Sequence, residues 1–161
     1  MKHILLFSIL LFFSCSSDSG LYKKSLNVNN QLIEDSPDAW AKISSEGSDF
    51  ALQNKISNSL FLFNSACRKH EASTLNALTT SILAGLDDVK IIEKSNTFYQ
   101  GREAIEVVAN GKLDGIQRFF RIITIQKNNC IYDYLLISTN QKNLDADSSA
   151  LKLFLKRIIL N

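Results

Sequence analysis

The sequence lacks the features on which several common functions depend. Its 18 Lys and Arg residues exceed its 16 Asp and Glu residues by only two, an excess too small to predict electrostatic binding of nucleic acid. The 161 residues include one Pro and six Gly, and 45% are hydrophobic, which excludes a wholly disordered or collagen-like chain. None of the Gly residues belongs to a GxGxxG or P-loop pattern, so we expect no phosphate-binding loop and no cofactor.

Histidine, the most frequent general base, is also scarce. Only His3 and His70 are present, and His3 lies in the segment that we interpret below as a cleaved export signal. The enzymatic alternative is a thiol hydrolase with Cys67 as nucleophile and His70 as base. It would need a reduced Cys67 and a third group that orients the imidazole. We expect instead that the protein is not an enzyme and that His70 is a solvated loop residue.

No apolar run in the sequence is long enough to cross a bilayer. Residues 4–13 form a nearly unbroken apolar run of about ten residues, half of what a membrane-spanning helix needs, and Lys2 gives the segment a basic start. We interpret it as an export signal. The run ends at Ser14-Cys15, and a Ser-rich polar stretch follows. This pattern resembles the lipobox of bacterial lipoproteins, and a plain secretory signal with an incidental cysteine is the alternative.

The lipobox resemblance implies that Cys15 receives a diacylglycerol and becomes the N-terminus after cleavage. Two or three acyl chains make such an attachment practically permanent, so the rest of the chain can be soluble. Ser16, rather than Asp, follows the cysteine, which under enterobacterial sorting rules favours the outer membrane. We therefore expect a lipoprotein of the bacterial cell envelope, anchored by membrane lipid on Cys15 and facing the periplasm.

The chain divides into three segments. Residues 1–14 are the predicted lipoprotein signal peptide, residues 15–36 a tether, and residues 37–161 a single α+β domain. The tether is rich in Ser and Asn and has no sustained period, although its later part is a candidate edge strand. The run Asp35-Ser36-Pro37-Asp38 is a turn signal, and Trp40 begins the region that we expect to be folded.

Alternation and turn signals predict strands through most of the domain. Residues 49–66 contain two strands joined by a hairpin at residues 54–58, and another strand begins near Val89. From residue 102 the chain is a meander in which Asp114-Gly115 is the predicted turn and Asn110-Gly111 a bulge, because this choice gives strands of more equal length. Asn128-Asn129 is the next turn, between strands at residues 116–126 and 130–138.

Two amphipathic helices are predicted beside these strands. The first begins at Ser73 or Thr74 and the second at Asp147 or Ser148. The first has an apolar stripe of Leu75, Leu78, Ile82 and Leu86, and the second one of Leu151, Phe154, Leu155, Ile158 and Ile159. Residues 119–125 are apolar at both odd and even positions, so we expect both faces of the sheet to be covered.

Several short segments match a known class of domain. They are Trp40 with Ser48-Asp49-Phe50-Ala51, Asn64-Ser65-Ala66-Cys67, Gly101-Arg102-Glu103-Ala104, Lys112-Leu113-Asp114-Gly115 and Cys130-Ile131-Tyr132-Asp133. With them, the region from Trp40 onward resembles the small exported lipoproteins of the PsbP-like or Mog-like α/β sandwich class. The resemblance implies an α+β fold, a central antiparallel β-sheet of about six strands flanked by helices, and no catalytic residues. It also implies a binding or accessory role, with an envelope protein or a small ligand as partner.

Cys67 and Cys130 remain once Cys15 is lipidated. In an exported protein, two cysteines near strand ends predict a disulfide, and closing a loop of about 64 residues would stabilise the fold by about 4 kcal/mol. Two alternatives stay open. The cysteines can be buried reduced thiols, or they can form a tetrahedral zinc site with His70 and Asp133, since two residues separate the members of each pair. We expect the disulfide and no metal.

Acidic and aromatic side chains of the strands offer weaker candidates. Four carboxylates could suggest a paired-carboxylate site, namely Glu103, Glu106, Asp114 and Asp133, but nothing in the sequence brings them together. We expect them to be exposed or to pair with Arg102, Arg118 and Arg121. The aromatic residues are expected in the core, because no basic stripe accompanies them for base stacking. They are Phe98, Tyr99, Phe119, Phe120, Tyr132 and Tyr134.

Overall fold

The structure, a computed structural model, describes residues 39–44, 46–67 and 73–158. The signal peptide, Cys15, the whole tether and His70 therefore lie outside the described residues. The elements within them are β1 (Trp40–Lys42), β2 (Phe50–Asn54), β3 (Leu60–Cys67), α1 (Leu75–Leu83), β4 (Asp87–Tyr99), β5 (Arg102–Leu113), β6 (Ile116–Lys127), β7 (Cys130–Ser138) and α2 (Gln141–Arg157).

The strands form one antiparallel sheet in the order β1-β2-β3-β7-β6-β5-β4. Consecutive hairpins join β4, β5, β6 and β7. Strand β3 pairs with β7, although α1 and strands β4 to β6 lie between them in the sequence. The expected antiparallel α+β architecture is confirmed, with seven strands where about six were expected. Strand β1, for example, has only three residues, too few to produce an alternation that the sequence would reveal. It lies at one edge of the sheet, where Trp40 is opposite Asn54.

Each face of the sheet has its own core, as the two-sided apolar pattern of β6 predicts. Helix α2 covers the face that we call the α2 face, where Ile123 and Ile125 of β6 join a cluster with Leu144, Leu151 and Phe154. Helix α1 covers the opposite α1 face, where the alternate β6 residues Phe120 and Ile122 pack with Val107 and Leu83. The prediction that both faces are covered is confirmed.

The three turns predicted between strands are confirmed, and the turn predicted at residues 35–38 lies outside the described residues. At Asp114-Gly115 and Asn128-Asn129 both central residues have positive φ, from 52° to 75°, a backbone region that Gly, Asn and Asp adopt at least cost. At residues 54–58 the Asn54 side-chain oxygen accepts hydrogen bonds from the backbone N–H groups of Ile56 (2.8 Å) and Ser57 (3.2 Å). This local bonding sets the turn between β2 and β3.

The prediction of a bulge at Asn110-Gly111 is wrong, because the irregularities lie on the neighbouring strand. Two residues of β4, Asp88 and Val89, oppose the single Gly111 of β5, and Ile92 is a second unpaired insertion. A Cβ at position 111 would lie 3.1 Å from the Asp87 carbonyl oxygen. Gly111 is therefore explained by the close approach of the bulged strand, not by a turn or bulge of its own.

The predicted start of the second helix is also wrong. Helix α2 begins at Gln141, because the Asn140 side chain accepts a hydrogen bond from the Asn143 N–H at 2.9 Å and serves as N-cap. Asp147 instead lies within the helix and is 8% exposed. Its two carboxylate oxygens accept hydrogen bonds from Asn54 Nδ2 (2.9 Å) and Ser57 Oγ (2.6 Å), which tie α2 to the β2–β3 turn.

The first helix begins where the sequence predicts and ends earlier than its stripe suggests. Thr74 is the N-cap, and its hydroxyl accepts a hydrogen bond from the Ala77 N–H at 3.2 Å. The helix ends at Leu83, just before Gly85, a poor helix former. Leu86 therefore lies beyond the helix, although it still packs against the α1-face core.

Candidate functional site

The two faces of the sheet are covered unequally. Helix α2 has 17 residues, whereas α1 has nine and is only about 14 Å long. Strand β6, with 12 residues, is about 40 Å long. The short helix leaves part of the α1 face open, and two clefts lie beside it. We call them the edge cleft, of about 450 Å³, and the Asp133 cleft, of about 390 Å³.

The edge cleft lies between the first turn of α1 and the β4–β5 hairpin. Its polar lining includes the amides of Asn76, Asn96 and Gln126 and the carboxylate of Glu103. Phe98 also lines this cleft and is 71% exposed, contrary to the expectation that it lies in the core. Asn76 is already engaged, because its side-chain oxygen accepts a hydrogen bond from Lys94 Nζ.

The Asp133 cleft lies on the other side of α1, above strands β3 and β7. Its walls are aliphatic, and they are formed by Ala66, Ala77, Leu78 and Ile131. Ser73 and Ser81 contribute hydroxyl groups, and Asp133 contributes the one carboxylate among the described lining residues. Asp133 is a central position of the sheet, because it pairs with Asn64 of β3 and with Thr124 of β6.

The Asp133 carboxyl group is incompletely hydrogen-bonded. Its Oδ1 atom is buried and has no hydrogen-bond partner among the described residues, and the same holds for Oγ1 of the adjacent Thr124. Thr124 itself is fully buried. Burial raises the pKa of Asp133 to about 6, and the nearby Thr124 hydroxyl opposes part of this rise. A carboxyl group without enough donors costs free energy when it ionises.

We expect the stability of the protein to depend on pH through Asp133. In the unfolded chain an Asp side chain has a pKa of about 4, while in the fold the pKa of Asp133 is about 6. Between these values the folded state holds a proton that the unfolded state has lost. The contribution of Asp133 to the free energy of unfolding therefore falls as pH rises through this window, by about 3 kcal/mol in total.

The measurement is urea unfolding of the wild type and of Asp133→Asn at pH 4 and pH 8. The variant should be more stable than the wild type at pH 8, and the difference should disappear at pH 4, where the wild-type carboxyl group is protonated. The exposed Asp145 supplies the matched control, since Asp145→Asn should show the same difference from the wild type at both pH values. A stability difference for Asp133→Asn that does not change with pH would contradict this assignment.

Cys67 and Cys130 form a disulfide in the structure, with an S–S distance of 2.01 Å. They are directly opposite each other on β3 and β7, and their neighbours Ala66 and Ile131 line the Asp133 cleft. The disulfide therefore fixes the strand ends beside that cleft. In this oxidised form neither sulfur is a free thiol, so Cys67 cannot act as the nucleophile of the thiol-hydrolase alternative.

The alternative zinc site does not fit the arrangement of the strand. Cys130 is buried in the α2-face core, whereas Asp133, an odd number of positions along β7, lies in a cleft on the α1 face. Successive strand residues point to opposite faces, so the two cannot be ligands of one ion. Among the described residues, no group of three or more His, Cys, Asp or Glu side chains could hold a metal ion.

The four candidate carboxylates are separated in the fold. Glu106 pairs with Arg121, at 2.5 Å between Oε1 and Nη1, which agrees with the expectation of an arginine partner. It also accepts a hydrogen bond from Tyr99 Oη at 3.0 Å. Burial, together with the adjacent Glu106, raises the pKa of Tyr99 to about 12. Glu103 lines the edge cleft and Asp114 lies in a turn, so no carboxylate pair is formed.

Sequence reasoning missed Asp133 as a site residue in its own right. From the sequence, Asp133 is a candidate only as a zinc ligand or as one of several charged residues, because an acidic residue in an alternating strand is usually solvated. The composition of the sequence around Asp133 could have revealed it. Residues 130–138 contain no other charged side chain, and such a strand is typical of the middle of a sheet.

The membrane attachment predicted from the sequence concerns residues outside the described ranges. In those ranges, no helix combines the length and the apolar character that crossing a membrane requires. The assignment of Cys15 as a lipidated residue therefore stays a prediction, and so does the division into signal peptide, tether and domain.

Solved structures of low sequence identity share this fold. A Pseudomonas aeruginosa protein of unknown function has a TM-score of 0.51 and 14% identity, covering 78% of this chain and 88% of its own. PsbP from the cyanobacterium Synechocystis has a TM-score of 0.50 and 12% identity, covering 72% and 78%. The Saccharomyces cerevisiae Ran-binding protein Mog1p has a TM-score of 0.51 and 10% identity, covering 76% and 84%.

These likenesses define the class of domain. The chain has the PsbP-like and Mog1-like α+β sandwich fold, which confirms the fold implied by the sequence resemblance. No protein-family model and no curated protein matches the sequence. At identities between 10% and 14% the likeness extends to the fold alone.

Proposed function

We propose that the protein is a lipid-anchored accessory module of the bacterial cell envelope, which binds a partner or small ligand through its α1 face and catalyses no reaction. The observation that carries this proposal is the pair of clefts beside α1. Each has a single carboxylate among its described lining residues, Glu103 in one and Asp133 in the other. Clefts with apolar walls and a few polar groups are typical of binding sites.

The lining of the clefts favours binding over catalysis. The described lining residues include no His, Lys or Cys, and each cleft offers a single carboxylate as its candidate general base. Ser81, one of the hydroxyls, donates its hydrogen bond to the Leu78 carbonyl at 2.7 Å, so its proton is not directed at a base that would activate it as a nucleophile. The fold is also compatible with a binding role, since yeast Mog1p, which shares it, is a Ran-binding protein.

The anchoring part of the proposal rests on the sequence of residues 1–16. A short basic start, an apolar run of about ten residues and Ser14-Cys15 before a polar stretch are the elements of a lipoprotein export signal. A diacylglycerol on Cys15, with a further acyl chain on the new N-terminus, would hold the domain at the membrane surface. We propose the outer membrane, with the domain facing the periplasm.

Metabolic labelling with radioactive palmitate tests the anchor. We expect the wild-type protein to incorporate label and to sediment with membranes, and Cys15→Ala to lose both properties. The double variant Cys67→Ala/Cys130→Ala is the matched control, because it removes the other two cysteines and should label like the wild type. Undiminished labelling of Cys15→Ala would refute lipidation at this residue.

A further inference from the structure

The elements that enclose the Asp133 cleft are almost free of charge. Helix α1 and strand β3 contain no charged residue, and β7 contains only Asp133. On β6, Arg118 lies on the same face, but it is six residues before Thr124, which is about 20 Å along a strand. Among the described residues no basic side chain lies near the Asp133 carboxylate, so these residues by themselves give the cleft a negative potential.

Two buried oxygen atoms at this position lack hydrogen bonds. Asp133 Oδ1 and Thr124 Oγ1 have no partner among the described residues, whereas most buried polar side-chain atoms in proteins are hydrogen-bonded. An ionised carboxylate only accepts hydrogen bonds, and a hydroxyl can accept as well as donate. The carboxylate of Asp133, which lines the cleft, therefore suits a hydrogen-bond donor, and a positively charged donor would form the stronger bond.

The walls of the cleft restrict what the donor can be attached to. The side chains of Ala66, Ala77, Leu78 and Ile131 line it, and they offer aliphatic contacts but no hydrogen bonds. A hydrated metal ion would find no ligands on these aliphatic walls and only the hydroxyl groups of Ser73 and Ser81 beside them. A chain of methylene groups, in contrast, would be removed from water there. The hydroxyl of Ser81 donates to the Leu78 carbonyl and can still accept a hydrogen bond from a bound group.

We propose that the Asp133 cleft binds an alkylammonium group, a protonated primary amine on a short aliphatic chain, with the nitrogen at the Asp133 carboxylate and the methylene groups along the aliphatic walls. This inference rests on the proposed binding function and names its ligand chemistry. The group can belong to a free amine or to a lysine side chain of a protein partner, because both present the same charged end and the same methylene stem.

The test is an NMR titration of the full chain with n-butylammonium, with n-butanol as the uncharged probe of equal length. We expect saturable shifts of the backbone signals of Ala77, Leu78 and Ile131 with n-butylammonium and none with n-butanol. The bound cation should also lower the pKa of the Asp133 carboxyl group, followed by its ¹³C signal, because a nearby positive charge favours the ionised form. Affinity should fall when the pH is lowered below that pKa.

Two variants distinguish binding of n-butylammonium in the Asp133 cleft from unspecific attraction of cations to the protein. Asp133→Asn, which keeps the shape of the side chain, should weaken n-butylammonium binding by about tenfold or more, since a hydrogen bond to a charged group is lost. Asp145→Asn removes an exposed carboxylate of α2 and should bind like the wild type. Equal binding by Asp133→Asn, or equal shifts with n-butanol, would overturn the proposal. An Asp133 signal that titrates identically with and without the amine would also overturn it.

Two further ligands distinguish the sources of the amine. Tighter binding of a lysine-containing tripeptide with blocked ends than of cadaverine would identify a protein lysine, and the reverse order would identify a free amine. Binding of neither ligand would refute the assignment. A failure of these amines to bind is distinct from a failure of the proposed anchoring, because palmitate labelling at Cys15 does not depend on the Asp133 cleft.

Discussion

Replacing Phe154 with alanine is expected to lower the free energy of unfolding by about 3–5 kcal/mol, the range for removing a fully buried aromatic side chain. Phe154 of α2 is 0% exposed. Its ring lies 5.5 Å from Trp40 and 4.6 Å from Phe61 between centroids. It therefore joins the helix to strands β1 and β3, and its loss leaves a cavity that the rigid sheet cannot close.

Urea unfolding followed by Trp40 fluorescence measures this effect. Phe98→Ala is the matched control, because the same atoms are removed from a side chain that is 71% exposed, and we expect a change of no more than about 0.5 kcal/mol. If the two variants lose similar stability, the packing of α2 on the sheet described above is incorrect.

Removing the disulfide is the second large effect that we expect. The bond joins residues separated by 63 positions, and a loop of that length stabilises the folded state by about 4 kcal/mol through restriction of the unfolded chain. The double variant Cys67→Ala/Cys130→Ala should therefore unfold at a markedly lower urea concentration than the oxidised wild type.

A reducing agent provides the control for this comparison. It should lower the unfolding midpoint of the wild type towards that of the double variant and leave the double variant unchanged. A wild-type midpoint that reductant does not alter would show that the disulfide contributes nothing to stability under the conditions used.

Much of the fold could be predicted because its determinants are local. The positive φ angles at Asp114-Gly115 and Asn128-Asn129 are properties of the dipeptides themselves, and the two-sided apolar pattern of β6 requires a cover on each face. The β4 bulges were missed because they are defined by the register against β5, which the sequence does not specify. The start of α2 was misplaced because Asp147 is a good capping residue, and only the distant Asn54 and Ser57 explain its burial.

The candidate site was less predictable because its determinants are relations between strands. The pairing of Glu106 with Arg121 depends on the register of β5 with β6, although the residue types indicated such a partner. Asp133 can be recognised as a site residue only from the fold, in which β3 and β6 lie on either side of it. The nine-residue α1 is too short to cover it, so it lines a cleft. Its spacing from Cys130 suggested a shared metal site, but the alternation of side chains along β7 excludes this.

The order of strands in the sheet has a consequence for how the chain folds. Strands β4 to β7 are joined by consecutive hairpins, so each strand can pair with the preceding one as soon as it has been synthesised. Strand β3, in contrast, can pair with β7 only after synthesis has passed residue 130. Contacts between distant segments form slowly because a long loop must close first. We therefore expect the meander to fold early and the β2–β3 hairpin to dock late. Cys67 then stays an unpaired thiol, open to wrong partners, at least while the residues that separate it from Cys130 are synthesised.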